Sequence, residues 1–202
     1  ETEVEKDQET QTTNAISMTG VVTAIPGTFG NQVSFIQGSQ IYFYHANWPA
    51  LTLGDVITVT GELSQNRGED RIKISSIENI HVIDKINLKP EIVTTSTIGS
   101  SAPGALVQIS GSAIARDGDK LTLDDENGEL TITAHSATNI AWSDVLGSDV
   151  TITGIVRIFD NEIKLYPRNA EDIEIKQPEK PPDPSVELTS NLVTSKQPPW
   201  LG

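Results

Sequence analysis

No cysteine occurs in the 202 residues, so a disulfide framework and thiolate metal sites are both excluded. That absence leaves the compartment open, because many secreted proteins lack cysteine. Long apolar runs are missing as well. None approaches the roughly 18 residues that a membrane-spanning helix needs. Histidine is scarce: His45, His81 and His135 stand far apart, and none has an HxxxH or HExxH spacing. There is no GxSxG elbow and no Gly-rich phosphate loop. The many carboxylates show no identifiable acid–base pair. These absences give the expectation of a non-enzyme with no catalytic residue, no cofactor and no metal. Basic residues are also few, 14 Lys and Arg against 28 Asp and Glu, for a net charge of -14. Such a surface favours solubility and repels phosphate backbones at long range.

The two ends read as non-globular. Residues 1–15 carry Glu1, Glu3, Glu5, Asp7 and Glu9 against Lys6 and contain too little apolar surface to offset ordering, so they are expected to be disordered. Residues 176–202 (KQPEKPPDPSVELTSNLVTSKQPPWLG) are proline-rich at both ends and read as a tether, with SVELTSNLVTS as a strand or part of that tether. The opening without an initiator Met reads as a mature or trimmed end, and the chain as a soluble segment of a longer protein.

Helical periodicity is nearly absent between these ends. Short alternating runs rich in Val, Ile and Thr dominate, and they occur twice. ISMTGVVTA corresponds to VQISGSAIA, and LGDVITVTG to LGSDVTITG. Gly54 and Gly61 are spaced like Gly147 and Gly154, and RIKI corresponds to EIKL. In the first strand of each copy Ile16, Met18, Gly20, Val22 and Ala24 share a face, as do Val107, Ile109, Gly111, Ala113 and Ala115. In the fourth, Ile57, Val59, Gly61 and Leu63 match Val150, Ile152, Gly154 and Val156. In the fifth, Ile72 and Ile74 match Ile163 and Leu165. One buried face per strand suits a small barrel or a small sandwich.

The second and third strands form a hairpin in each copy. One turns at Gln-Gly-Ser between Val33/Phe35 and Ile41/Phe43. The other turns at Asn127-Gly128, a dipeptide that favours positive φ at both central positions, between Leu121/Leu123 and Leu130/Ile132. A non-alternating stretch with a tryptophan follows each hairpin, and Trp48 and Trp142 read as core plugs. The acidic run Asp124–Glu129 lacks the calcium-loop spacing and reads as a hairpin turn. Five strands with an insertion between the third and fourth is the order of an OB barrel. The pattern TGVV…VSFI…IYFY…LGDVITVTGEL…RIKI resembles the OB-fold nucleic-acid-binding domains of bacterial extracellular and surface nuclease-type proteins. The resemblance implies an all-β chain of two tandem five-stranded OB-like barrels, 16–83 and 106–175. The setting it implies is a secreted or cell-surface protein. Residues 84–105 join the two modules as a linker, in which TTSTIGSSAPG suits a hinge and INLKPEIV can instead dock on a barrel.

OB barrels generally bind on the outer face of strands 2 and 3, between the 1–2 and 4–5 loops. With Ile41 and Phe43 inward, Tyr42 and Tyr44 point outward; Thr131 and Thr133 replace them in the second copy. Phe29 sits in the longer 1–2 loop PGTFGN, and Arg67 in the 4–5 loop SQNRGED. Arg71 and Lys73 alternate with core Ile72 and Ile74. Three basic against five acidic residues leave the first module at -2, whereas five against thirteen leave the second at -8. Phe29, Tyr42, Tyr44, Arg67, Arg71 and Lys73 are therefore the candidate site for single-stranded DNA or RNA, and the second module a scaffold. The same residues have a structural reading. The tyrosines can pack on a neighbouring segment, Phe29 can tuck into the barrel mouth, and Arg71 and Lys73 can pair with Glu69 or Asp70. Protein or glycan partners are the alternative ligands.

Overall fold

The computed structural model describes residues 15–142 and 145–176. The acidic opening up to residue 14 and the proline-rich stretch from residue 177, including the disorder and tether expected there, lie outside the described residues. No α-helix occurs among the described residues, and none is therefore long and apolar enough to cross a membrane.

Strands β1 (Ala15–Ala24), β2 (Val33–Ile36), β3 (Ser39–Phe43), β4 (Asp55–Asn66) and β5 (Glu69–Ile74) form the first barrel. They run in the order β1-β2-β3-β5-β4 and close by β1–β4 pairing, with only β3–β5 parallel. Strand β6 (Ile80–Lys85) adds to the outer edge of β4, and β7 (Glu91–Ile92) belongs to the linker. The second barrel repeats the topology with β8 (Leu106–Asp117), β9 (Lys120–Asp124), β10 (Glu129–Thr133), β11 (Asp149–Phe159) and β12 (Glu162–Tyr166), closed by β8–β11. Strand β13 (Ile173–Ile175) adds to β11 as β6 does to β4. The chain is thus two closed five-stranded barrels in the OB strand order, and the sandwich alternative is set aside.

Alternation builds both cores. Val22, Ile36, Ile41, Phe43, Ile57, Val59, Ile72 and Ile74 fill the first; Val107, Ile109, Leu121, Leu123, Ile132, Val150, Ile152 and Leu165 fill the second. The repeated glycines have a steric origin. A Cβ on Gly61 would lie 2.5 Å from the Lys73 carbonyl oxygen, and one on Gly111 would meet that of Asp124. The long first and fourth strands cross their neighbours too closely there for any side chain. Trp142 is buried and donates its indole N–H to the Asp119 carbonyl at 2.8 Å. Trp48 donates to the Asn31 carbonyl at 2.7 Å and meets Phe43 edge-on. Both indoles hold the 1–2 connection of their own barrel, as plugs would.

Several local expectations are corrected. Ala115 is exposed because a β-bulge between Ala113 and Ala115 shifts the pairing with β9. Leu63 is half-exposed because β4 outruns its pairing with β1, which ends at Glu62. Ile163 lies in the corresponding two-stranded end of β11–β12. The second hairpin turns through Asp125–Gly128 with positive φ at Glu126 and Gly128 rather than at Asn127. Asp125 is committed elsewhere, accepting from the Thr95 N–H at 2.8 Å and its hydroxyl at 2.5 Å. The extra strands β6 and β13 lie outside the five-strand expectation, and their entry carries a local signal. Ser76 and Asn169 each cap a short 3-10 turn, and Ile80 and Ile173 follow at the same offset.

The linker is not a hinge. Ile86 N–H bonds to Gly54 O, β7 pairs with β8, and Val93 and Ile98 enter the second core. Pro103 and Gly104 sit between the barrels. Pro103 O accepts from Gly38 N at 2.8 Å, Gly104 O from the Thr23 hydroxyl at 2.6 Å, and Gly104 N donates to Val156 O at 2.7 Å. A segment bonded to both barrels cannot swing without breaking those bonds.

Candidate functional site

Outward residues of β3 and β5 form a graded ladder. Along β3, Gln40 is buried, Tyr42 half-buried and Tyr44 66% exposed. Along β5, Glu69 is buried, Arg71 half-buried and Lys73 exposed. Parallel pairing sets Gln40 beside Arg71 and Tyr42 beside Lys73. The gradient arises because the lower rung is an inter-barrel contact. The Gln40 amide donates to Glu69 at 3.0 Å, and Arg157 of the second barrel meets the same carboxylate with Nη2 at 2.7 Å and Nε at 3.2 Å. The Arg157 guanidinium also lies over the Phe35 and Tyr166 rings at 4.9 and 4.8 Å. Ala24, Phe29 and Phe35 pack there against Leu106, Ile155 and Tyr166, giving the two barrels an apolar seam of their own.

The upper rungs are open. Tyr42, Tyr44, Arg71 and Lys73, with Thr60, Glu62 and Ser64 of β4, line a groove of about 850 Å³. Arg71 stacks over the Tyr42 ring at 4.4 Å and donates from Nε to the Ser64 hydroxyl at 3.1 Å. The ion pairs expected on the structural reading do not form. Glu69 is taken by Arg157, Asp70 accepts from Gln65, and neither Arg71 nor Lys73 joins a salt bridge among the described residues. Both cations face the groove without a salt bridge among the described residues, with Glu62 opposite Lys73 in the β4–β5 ladder.

Two candidates lie elsewhere. Phe29 is not an exposed loop tip; it is 5% exposed, edge-on to Phe35, Tyr166 and His135 at 5.7, 6.1 and 5.7 Å. The eight-residue β1–β2 connection carries it across to the second barrel, where burial of its ring outweighs exposure. Arg67 is not in a long loop either. Strands β4 and β5 stay paired to Asn66 and Glu69, leaving the two-residue turn Arg67-Gly68, with φ of 51° and 80°. Its counterpart Asp160-Asn161 is the same turn, so the 4–5 connections are equal in length. The tips touch. Asp160 N donates to Arg67 O at 2.9 Å, the Arg67 guanidinium lies 3.8 Å from the Asp160 carboxylate, and it covers Phe159 at 4.9 Å. Phe29 and Arg67 thus join the barrels, while Tyr42, Tyr44, Arg71 and Lys73 share a groove.

A second concavity of about 990 Å³ opens between the barrels and shares Tyr42, Tyr44 and Arg71 with the groove. The second barrel adds Lys120, Thr133, His135 and Lys164 to its walls. The sequence does not show this juxtaposition, because these residues meet the first barrel's tyrosines only once the barrels are docked. His135 accepts the Ala137 N–H on Nδ1 at 3.2 Å. Burial, and then the Arg157 charge, lower its pKa, so the ring is held neutral. Burial raises the Tyr166 phenol, which keeps its proton.

No protein-family model and no curated protein sequence matches the chain. Similar solved structures include the hypothetical protein ygiW from E. coli (18% identity, 43% of this chain and 90% of that one, TM-score 0.35). The telomere capping protein Ten1 from S. pombe is another (16% identity, 38% and 76%, TM-score 0.31). A HINb domain is 10% identical and covers 81% of this chain and 97% of that one, with a TM-score of 0.37. The OB assignment rests on the strand order and closure of the two barrels.

Proposed function

We propose that the first barrel binds single-stranded nucleic acid on the outer face of β3 and β5. The observation that carries this reading is the open ladder of Tyr42 and Tyr44 beside Arg71 and Lys73, two ring faces next to two cations that join no salt bridge among the described residues. Bases stack on Tyr44 and on the Tyr42–Arg71 pair, each stack contributing about 1–3 kcal/mol, and Lys73 and Arg71 neutralise phosphates. The net charge of -14 opposes long-range attraction, so binding is expected to be weak at physiological salt and to tighten as salt falls. Binding of labelled oligonucleotides, followed by fluorescence anisotropy at low salt, tests the reading. No binding, or binding indifferent to Tyr44→Ala combined with Arg71→Ala, overturns it. Salt-insensitive binding of a glycan at the same tyrosines would favour a sugar ligand instead. A secreted or cell-surface setting belongs to the same proposal and is tested by locating the protein in fractionated cells.

A further inference from the structure

We propose that the cleft between the barrels continues this site, so that a strand lying on the first barrel crosses to the second and is held there by Lys120. The proposal rests on the nucleic-acid reading of the first barrel. It assigns the ligand-binding part of the second barrel, which its charge of -8 alone would make a scaffold.

Three observations carry it. First, groove and cleft share Tyr42, Tyr44 and Arg71 on their walls, so a chain lying on these three residues borders both concavities. Second, two buried polar atoms on the cleft wall lack hydrogen-bond partners among the described residues. Gln40 Oε1 is one, its amide nitrogen being committed to Glu69. The other is Thr133 Oγ1, which has the Tyr166 phenol as a neighbour but no partner in hydrogen-bond geometry. Gln40 and Thr133 are 3% and 7% exposed. Buried polar groups nearly always find partners, so two such atoms on one wall mark where a ligand's donors and acceptors arrive after a small side-chain shift. The amino group and ring nitrogens of a base supply both.

Third, the charge is placed for a backbone. Lys120 is exposed, stands opposite Thr133 in the β9–β10 ladder, and joins no salt bridge among the described residues. Of the acidic residues lining the cleft, Asp160 is paired with Arg67, which leaves Asp119. His135, neutral and acting as an acceptor on Nδ1, adds no charge and offers its other nitrogen as a donor.

The test uses the full chain and fluorescein-labelled oligo(dC) of about 4 and about 30 nucleotides, the longer exceeding the roughly 4–16 nucleotides that one OB barrel occupies. Lys120→Gln lies on an exposed position and should keep the thermal midpoint. Its expected effect is a loss of about fivefold for the long strand near 0.1 M salt, with a fall of about 0.7 in the slope of log affinity against log salt. Binding of the short strand, which the first barrel holds alone, should not change, and Lys120→Arg should restore the long-strand affinity and slope. If the long strand binds Lys120→Gln with wild-type affinity and slope, the inference is overturned while the first-barrel site stands. If neither length binds the wild-type chain, both readings fall together. A drop in affinity that Lys120→Arg fails to rescue also overturns the inference, because it marks damage rather than a lost charge.

Discussion

In the first barrel, the position after the last core residue of β3 is Tyr44, 66% exposed; in the second, the position after the last core residue of β10 is Thr133, 7% exposed on the wall of the inter-barrel cleft. The two barrels otherwise share strand order, closure, steric glycines and tryptophan plugs. What separates them is the β1–β2 connection. Eight residues in the first barrel reach across and bury Phe29 against Tyr166, whereas the second has only Gly118-Asp119 at this connection and no aromatic to bury. A duplicated fold has thus been made asymmetric by one loop. The barrel that donates the loop keeps an open face, and the barrel that receives it has its face partly covered.

The largest effect expected from breaking this asymmetry is at the buried ion pair. Glu69→Ala leaves Arg157 buried without its carboxylate and should cost about 3–5 kcal/mol, seen as a lower urea midpoint. Calorimetry of that variant should also resolve two transitions, because the pair ties one barrel to the other. Phe29→Ala follows, at about 3 kcal/mol for a buried ring lost from the seam. Since Phe29 lies outside the groove of the first barrel, short oligonucleotides should bind this variant unchanged where it remains folded. Tyr42→Ala and Tyr44→Ala should each weaken oligonucleotide binding by about 1–3 kcal/mol, while Thr131→Ala in the second barrel should have little effect. That contrast, measured by anisotropy, separates the open face from its counterpart.

Acid sharpens the comparison. The Asp55 carboxyl is lowered to about 2 by its hydrogen bond from Lys85, then by the Thr52 N–H and hydroxyl, whereas the equivalent position of the second barrel is Ser148. A carboxyl whose folded pKa lies below its unfolded value stabilises fully above the unfolded value, 3.8, and loses that contribution as pH falls toward 2. Asp55→Asn should therefore be less stable than the wild type at neutral pH, and the difference should close across that window in pH-dependent denaturation. The smallest effect is expected at Leu63, which alternation assigns to the core and the structure leaves half-exposed. Leu63→Thr should stay within about 0.5 kcal/mol of the wild type in the same assay.

The internal repeat, the inward set of each strand and the outward ladder of Tyr42, Tyr44, Arg71 and Lys73 were all legible in the sequence. Each follows from a two-residue period that is local to one strand. The periodicity failed where a strand outlives its neighbour, as at Leu63 and Ile163, or bulges, as at Ala115. The inter-barrel roles of Phe29 and Arg67 were not legible, and neither was the approach of Lys120 and Thr133 to the first barrel's tyrosines; for the linker, the sequence left docking and hinge freedom both open. These depend on how one barrel seats on the other, through contacts such as Glu69–Arg157 that span 88 positions in the chain. A strand's pattern says which side is buried; it does not say whether solvent, a ligand or a second barrel lies on the other side. Only the tertiary structure decides that, because the apolar seam and the ion pair form between surfaces that each barrel alone would expose to water.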